Sequence, residues 1–177
     1  MVGWYKTSLF WGKKAAGCVF ICLEDQTILL LKRSRGVENP GTWGIAGGAI
    51  VNEDLGMEDD FYNQDENHIP DPDQKIFKDS AIDETVEEMG SFPGNSEMLG
   101  STDFSEGSFT YRTHIYNISL EEKQKWTPTI RLNLENDKYG WFSIMSLPPN
   151  LQPGFATKVN EIKQYFGQPF NLKRLNS

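Results

Sequence analysis

Within the segment AIDETVEEMG, Glu84, Glu87 and Glu88 stand at i, i+3 and i+4. On a helix that spacing puts three carboxylates on one face, within reach of a common point. Three anions so close repel one another unless water solvates them or a cation sits among them. The segment is therefore either a wet helix face or a hard-oxygen site of the kind that Mg²⁺ and Mn²⁺ prefer and share with substrate phosphates. Upstream, Gly47 and Gly48 in WGIAGGAI read as a tight glycine turn where the backbone comes close to something, with carbonyls available as further oxygen ligands.

The elements that would hold these groups follow from hydrophobic patterning. AAGCVFICL and TILLLKR read as two strands of a hairpin, joined by a polar turn at Glu24, Asp25 and Gln26. A loop and a brief strand at Trp43 to Ile45 lead to the glycines. The stretch from about 52 to 74 carries nine acidic residues and no Lys or Arg, and reads as an inserted surface loop. From Lys75 to Met89, Ile76, Phe77, Ala81, Ile82, Thr85, Val86 and Met89 recur at helical spacing, and Gly90 follows as terminator. Two more strand-like segments follow, SEMLGSTDF and SFTYRTHIYNISL, turning at Glu106 and Gly107. A polar connection then leads to the strand and turn of YGWFSIMSLP. The last element is a helix with Phe155, Val159, Ile162 and Phe166 on one stripe. The order predicts an α/β (α+β) sandwich with a mixed β-sheet between helices, in a single domain covering 1–177.

Composition bounds the chemistry further. A chain of 177 residues with 38% hydrophobic content can enclose one core. The formal charge of -8 argues against non-specific binding of duplex nucleic acid, which rests on Lys and Arg displacing counterions. The apolar runs are too short to span a bilayer, and with no signal-peptide pattern the expected location is cytoplasmic, with no membrane partner. Cys18 and Cys22 lack zinc-site spacing and read as buried free thiols.

In these residues the chain resembles the Nudix hydrolases. Their box is a Gly, five residues, a Glu, seven residues, then Arg-Glu-apolar-x-Glu-Glu-x-Gly-apolar. DETVEEMGS is similar to its second half at Glu84, Glu87, Glu88 and Gly90, and WGIAGGAI to its opening strand and glycines. ENDKYGWFSIMSLP and LQPGFATKV resemble the family's late strand, Leu-Pro turn and last helix, so the likeness runs over roughly residues 15–165. It departs in several places. About twenty residues interrupt the box, the loop acid is Glu53 or Asp54, Asp83 stands where the family has Arg, and Thr85 and Ser91 replace apolar residues.

The resemblance implies a Nudix-like sandwich and divalent-metal-dependent hydrolysis of a phosphoanhydride bond. The substrate would be a small nucleotide: a nucleoside diphosphate linked to another group, such as ADP-ribose, a dinucleoside polyphosphate or a nucleoside triphosphate. It implies Mg²⁺ or Mn²⁺ held by Glu84, Glu87, Glu88 and the carbonyl of Gly48, with Glu87 or Glu135 as base. Arg33 and Arg35, at a strand end, suit phosphate or are ordinary surface. Trp43, Phe104 and Tyr111 suit base stacking or core packing. Homodimers are frequent in the family. The loss of Arg at Asp83 leaves open an alternative, a catalytically weak nucleotide-binding module of the same fold.

Overall fold

The computed structural model describes residues 14–50 and 72–167. Strand β1 (Lys14–Cys22) carries Ala16, Cys18 and Phe20 on one face and Val19 and Ile21 on the other, as a strand buried on both sides must. Its hairpin partner β2 (Thr27–Arg33) pairs with it antiparallel at Ile21↔Ile28 and Cys22↔Thr27. Beyond those pairs the two strands part. Short β3 (Trp43–Gly44) runs against β2 at Leu31 and Lys32, while β4 (Ala46–Ala49) runs against β1 from Ala15 to Cys18.

The sheet is completed by β5 (Glu97–Glu106), β6 (Phe109–Asn117) and β7 (Asn136–Ser143). β6 lies parallel to β1 and antiparallel to β5, and β7 pairs antiparallel with β2, giving a seven-stranded mixed sheet. Helix α1 (Pro72–Met89) covers one face through Phe77, Ala81 and Met89, with Trp126 of α2 (Leu120–Trp126) packed edge-on to Phe20 at 4.8 Å. Helices α3 (Pro153–Ala156) and α4 (Val159–Phe166) cover the other face through Phe155, Val159 and Ile162. The expected mixed sheet between helices is the observed architecture. No helix among the described residues is long and apolar enough to cross a membrane.

Four local expectations need correction. The central helix starts at Pro72, where a proline in the first turn loses no hydrogen bond, so residues 72–74 belong to it and not to the acidic loop. The rest of that loop, with Glu53, Asp54 and His68, lies outside the described residues. Gly47 and Gly48 lie inside β4 and not in a turn. The polar connection contains α2, whose single buried residue leaves no apolar stripe; its signature is the cap, with the Ser119 hydroxyl accepting the Glu122 N–H at 3.1 Å. The last helix is two helices, divided at Thr157 and Lys158.

The glycines of β1 and β4 are required by close approach. A Cβ on Gly17 would overlap the Tyr111 hydroxyl and lie 2.5 Å from the Ala46 carbonyl oxygen, and one on Gly47 would meet the same hydroxyl. Both cysteines are buried free thiols, and burial pushes Cys18 up to about 12. Gly17→Ala is expected to lower stability by about 1–3 kcal/mol, measured by urea denaturation. Adding Tyr111→Phe restores only part of the loss, because the Ala46 backbone cannot retreat; full recovery would contradict this packing.

Candidate active site

The parting of β1 and β2 opens a gap, and the end of α1 fills it. Glu88 is 2% exposed, with Oε1 accepting the Gly47 N–H at 3.0 Å and Oε2 accepting from Asn136 Nδ2 at 2.7 Å. Gly47 belongs to the β1 side of the gap. Asn136 opens β7 and sits opposite Arg33 on the β2 side. One carboxylate thus ties the helix to both. The helix end is held by the loop before β7, where the Arg131 N–H donates to the Met89 carbonyl at 2.8 Å and the Asn133 N–H to the Glu88 carbonyl at 3.1 Å. Gly90, with φ of +78°, ends the helix.

The three box glutamates do not share one environment. Glu84 is half-buried, and a Cβ on Gly48 would lie 2.5 Å from its carboxylate, so the glycine allows that carboxylate to rest on the strand. Glu87 and Asp83 are exposed. Consecutive residues of a helix are turned by about 100°, which carries Glu88 into the core and leaves Glu87 in solvent. The buried stripe includes Thr85, as expected, but not Val86, which is 43% exposed. Thr85 tolerates burial because its hydroxyl donates to the Ala81 carbonyl at 2.8 Å.

Of the remaining expected site residues, Arg33 and Glu135 lie close enough for their charges to act on Glu88. Arg33 is not an exposed strand end: it is 6% exposed, and its Nε donates to the Glu38 carbonyl at 2.7 Å. The loop after β2 folds back over it, with the Gly41 N–H on the Arg33 carbonyl at 2.9 Å. Glu135 is half-buried beside Asn133 and its carbonyl accepts the Ser34 N–H at 2.8 Å. Arg35 is exposed. Trp43 packs with Phe142, ring centroids 4.8 Å apart, in the apolar cluster on the α3–α4 face. Phe104 and Tyr111 face each other across β5 and β6. His114 is buried in β6, and burial, followed by the Arg112 charge, lowers its pKa and keeps it neutral.

Solved structures share this fold. RenU, a Nudix hydrolase from M. smegmatis, matches with a TM-score of 0.60 at 20% identity over 89% of this chain and 88% of its own. An Ap4A hydrolase from C. elegans, crystallised as a binary complex, matches at 0.55 and 14% identity over 87% of this chain and 97% of its own. A MutT protein from Methanosarcina mazei Go1 matches at 0.53 and 18% identity over 88% and 95%. The chain has the Nudix fold. No protein-family model and no curated protein matches the sequence.

On this Nudix scaffold the oxygen donors suit a hard divalent cation. Glu84 rests on the Gly48 backbone and Glu88 is a buried carboxylate with a neighbouring carboxylate at Glu135. Among the described residues no three His, Cys, Asp or Glu side chains gather as a complete ligand set.

Asn136 is the site residue that the sequence does not single out. Nothing in its periodicity or spacing distinguishes it from its neighbours Glu135 and Asp137. Its role depends on a register shift in β7, where Lys32 pairs with Lys138 and Arg33 pairs with Asn136.

Burial is the main influence on Glu88 and pushes its pKa up to about 7; the Gly47 N–H and Asn136 amide pull down, the Glu135 charge pushes up and Arg33 pulls down. The folded protein thus holds a proton on Glu88 that the unfolded chain releases near 4.5. Without metal, this group lowers stability as pH rises from about 4.5 to about 7, by on the order of 3 kcal/mol in total. Glu88→Gln is expected to flatten that slope, measured by urea denaturation across pH 4.5–8 in the presence of a chelator. Equal pH dependence in both proteins would contradict the assignment.

Proposed function

We propose that this chain is a Nudix-type pyrophosphohydrolase that cleaves a phosphoanhydride bond in a nucleoside diphosphate linked to another group, an ADP-ribose-like compound, a dinucleoside polyphosphate or a nucleoside triphosphate. The observation that carries the reading is the convergence of Glu84 and Glu88 on the paired glycines of β4, with Glu135 and Arg33 close by.

Water attacks phosphorus, the bridging P–O bond breaks, and a carboxylate takes the proton from the water. When bound, Mg²⁺ or Mn²⁺ supplies charge neutralisation at the phosphoryl oxygens. Glu84 and Glu88 would hold the cation, with Glu87 reaching it from the solvent side. The backbone also contributes. In an antiparallel ladder successive residues direct their N–H and C=O groups to opposite sides, and Gly47 directs its N–H to Glu88. The carbonyl facing the glutamates is then that of Gly47, while Gly48 turns its own toward Ala16, its partner in β1. Arg33, buried beside Glu88, supplies positive charge for a phosphate, and exposed Arg35 extends it outward.

Glu87 and Glu135 are the two candidates for the base. Glu135 lies within the electrostatic range of Glu88 and is half-buried, whereas Glu87 is exposed. A second reading, a nucleotide-binding module with little turnover, is favoured by the exposed Asp83 at the place of the family's Arg.

The test is product analysis with Mg²⁺ or Mn²⁺ and a panel of ADP-ribose, NADH, dinucleoside polyphosphates, nucleoside triphosphates and capped RNA. Metal-dependent cleavage is expected, with Glu84→Gln and Glu88→Gln each losing at least roughly 100-fold in kcat. The base is the residue, of Glu87 and Glu135, whose Gln variant loses the acidic limb of the pH–rate profile. Binding of a panel compound without cleavage would select the second reading.

A further inference from the structure

We propose that Asn136 is a positioning residue for Glu88, placed there by a bulge in β7, and that it sets the site's affinity for its divalent cation. The proposal rests on the reading of Glu88 as a metal ligand given above. From Ser143 to Lys138, β7 pairs with β2 one residue to one, ending at Lys32↔Lys138. Continued without interruption, the ladder would bring Asp137 opposite Arg33. The register shifts instead, and Asn136 takes that place.

The consequence is chemical. Residues paired across a ladder share a face, so the unshifted strand would point the Asp137 carboxylate to the α1 side of the sheet, against the buried carboxylate of Glu88. Two buried carboxylates in contact cannot both be ionised without a large cost. The bulge discards Asp137 to solvent, where it is exposed, and brings in an amide of almost the same shape that donates a hydrogen bond.

That bond fixes orientation. The Gly47 N–H holds Oε1 from one side of the gap, and Asn136 holds Oε2 from the other at 2.7 Å. Each carboxylate oxygen accepts one bond and keeps a lone pair for a cation. Asn136 is only 6% exposed, and without its amide the carboxylate would keep the Gly47 N–H as its one protein hydrogen bond and could pivot about it. A group bonded to a ligand in this way changes metal affinity without touching the metal.

A double-mutant cycle read by Mn²⁺ binding tests this, with free Mn²⁺ followed by electron paramagnetic resonance and folding checked by circular dichroism. Asn136→Ala is expected to weaken Mn²⁺ binding about tenfold in the otherwise native protein, and by less than about twofold in the Glu88→Gln background. If Asn136→Ala does not fold, Asn136→Ser, whose hydroxyl is too short to replace the amide, is expected to show the same pattern. Unchanged affinity in the folded Asn136 variant, or an equal loss in both backgrounds, would overturn the positioning role. Undiminished Mn²⁺ binding by Glu88→Gln alone would overturn the reading of Glu88 as ligand, and the positioning role with it.

Discussion

A single buried carboxylate organises this molecule. Glu88 accepts hydrogen bonds from two parts of a sheet that has split, Gly47 on the β1 side and Asn136 on the β2 side. An ionised carboxylate at that depth is costly unless its oxygens are bonded. Burial nevertheless dominates over both donors and raises its pKa to about 7. Such a group is a stability cost, and under the proposed function a cation bound there would relieve it and draw affinity from that relief.

The surrounding structure follows from accommodating this group. β1 and β2 must part for Glu88 to enter, and the short strands β3 and β4 each pair with one of the edges so exposed. The glycines of β4 serve both faces of that strand: Gly48 leaves space for the Glu84 carboxylate, and Gly47, with Gly17, leaves space for the Tyr111 hydroxyl. The loop between α2 and β7 binds the last carbonyls of α1 through Arg131 and Asn133, and so fixes the helix end against the gap. In the proposed function, cation affinity and fold stability would be coupled, because the same side chains would serve both.

The strands and the central helix are legible in the sequence because burial leaves a mark: continuous apolar runs in β1 and β2, buried on both faces, alternation in β5 and β6, and helical spacing in α1. The hairpin of β1 and β2, the pair β5 and β6, and the carboxylates of α1 can all be placed that way. Other features depend on interactions that leave no periodic trace. Helix α2 buries only Trp126 and is marked by its Ser119 cap alone. Gly47 and Gly48 suggest a turn by type, yet they lie in a strand because β1 offers a free edge. Helical spacing brings Glu84, Glu87 and Glu88 near one another, but which one enters the core depends on how the helix is rotated against the sheet. Thr85 and Val86 both fit the helical spacing, and the rotation buries Thr85, bonded to the Ala81 carbonyl, while it turns Val86 to solvent. Asn136 is hidden for a fourth reason, since a bulge changes which residue faces the site and composition does not record it.

The most direct measurement is an anomalous diffraction map of crystals soaked with Mn²⁺ and a non-hydrolysable nucleoside diphosphate analogue. A Mn²⁺ peak within ligand distance of the Glu84 and Glu88 carboxylates, with the diphosphate beside Arg33, is the expected result. A fully occupied Mn²⁺ elsewhere, with Glu88 still bonded to Gly47 and Asn136 and no ion near it, would contradict the account.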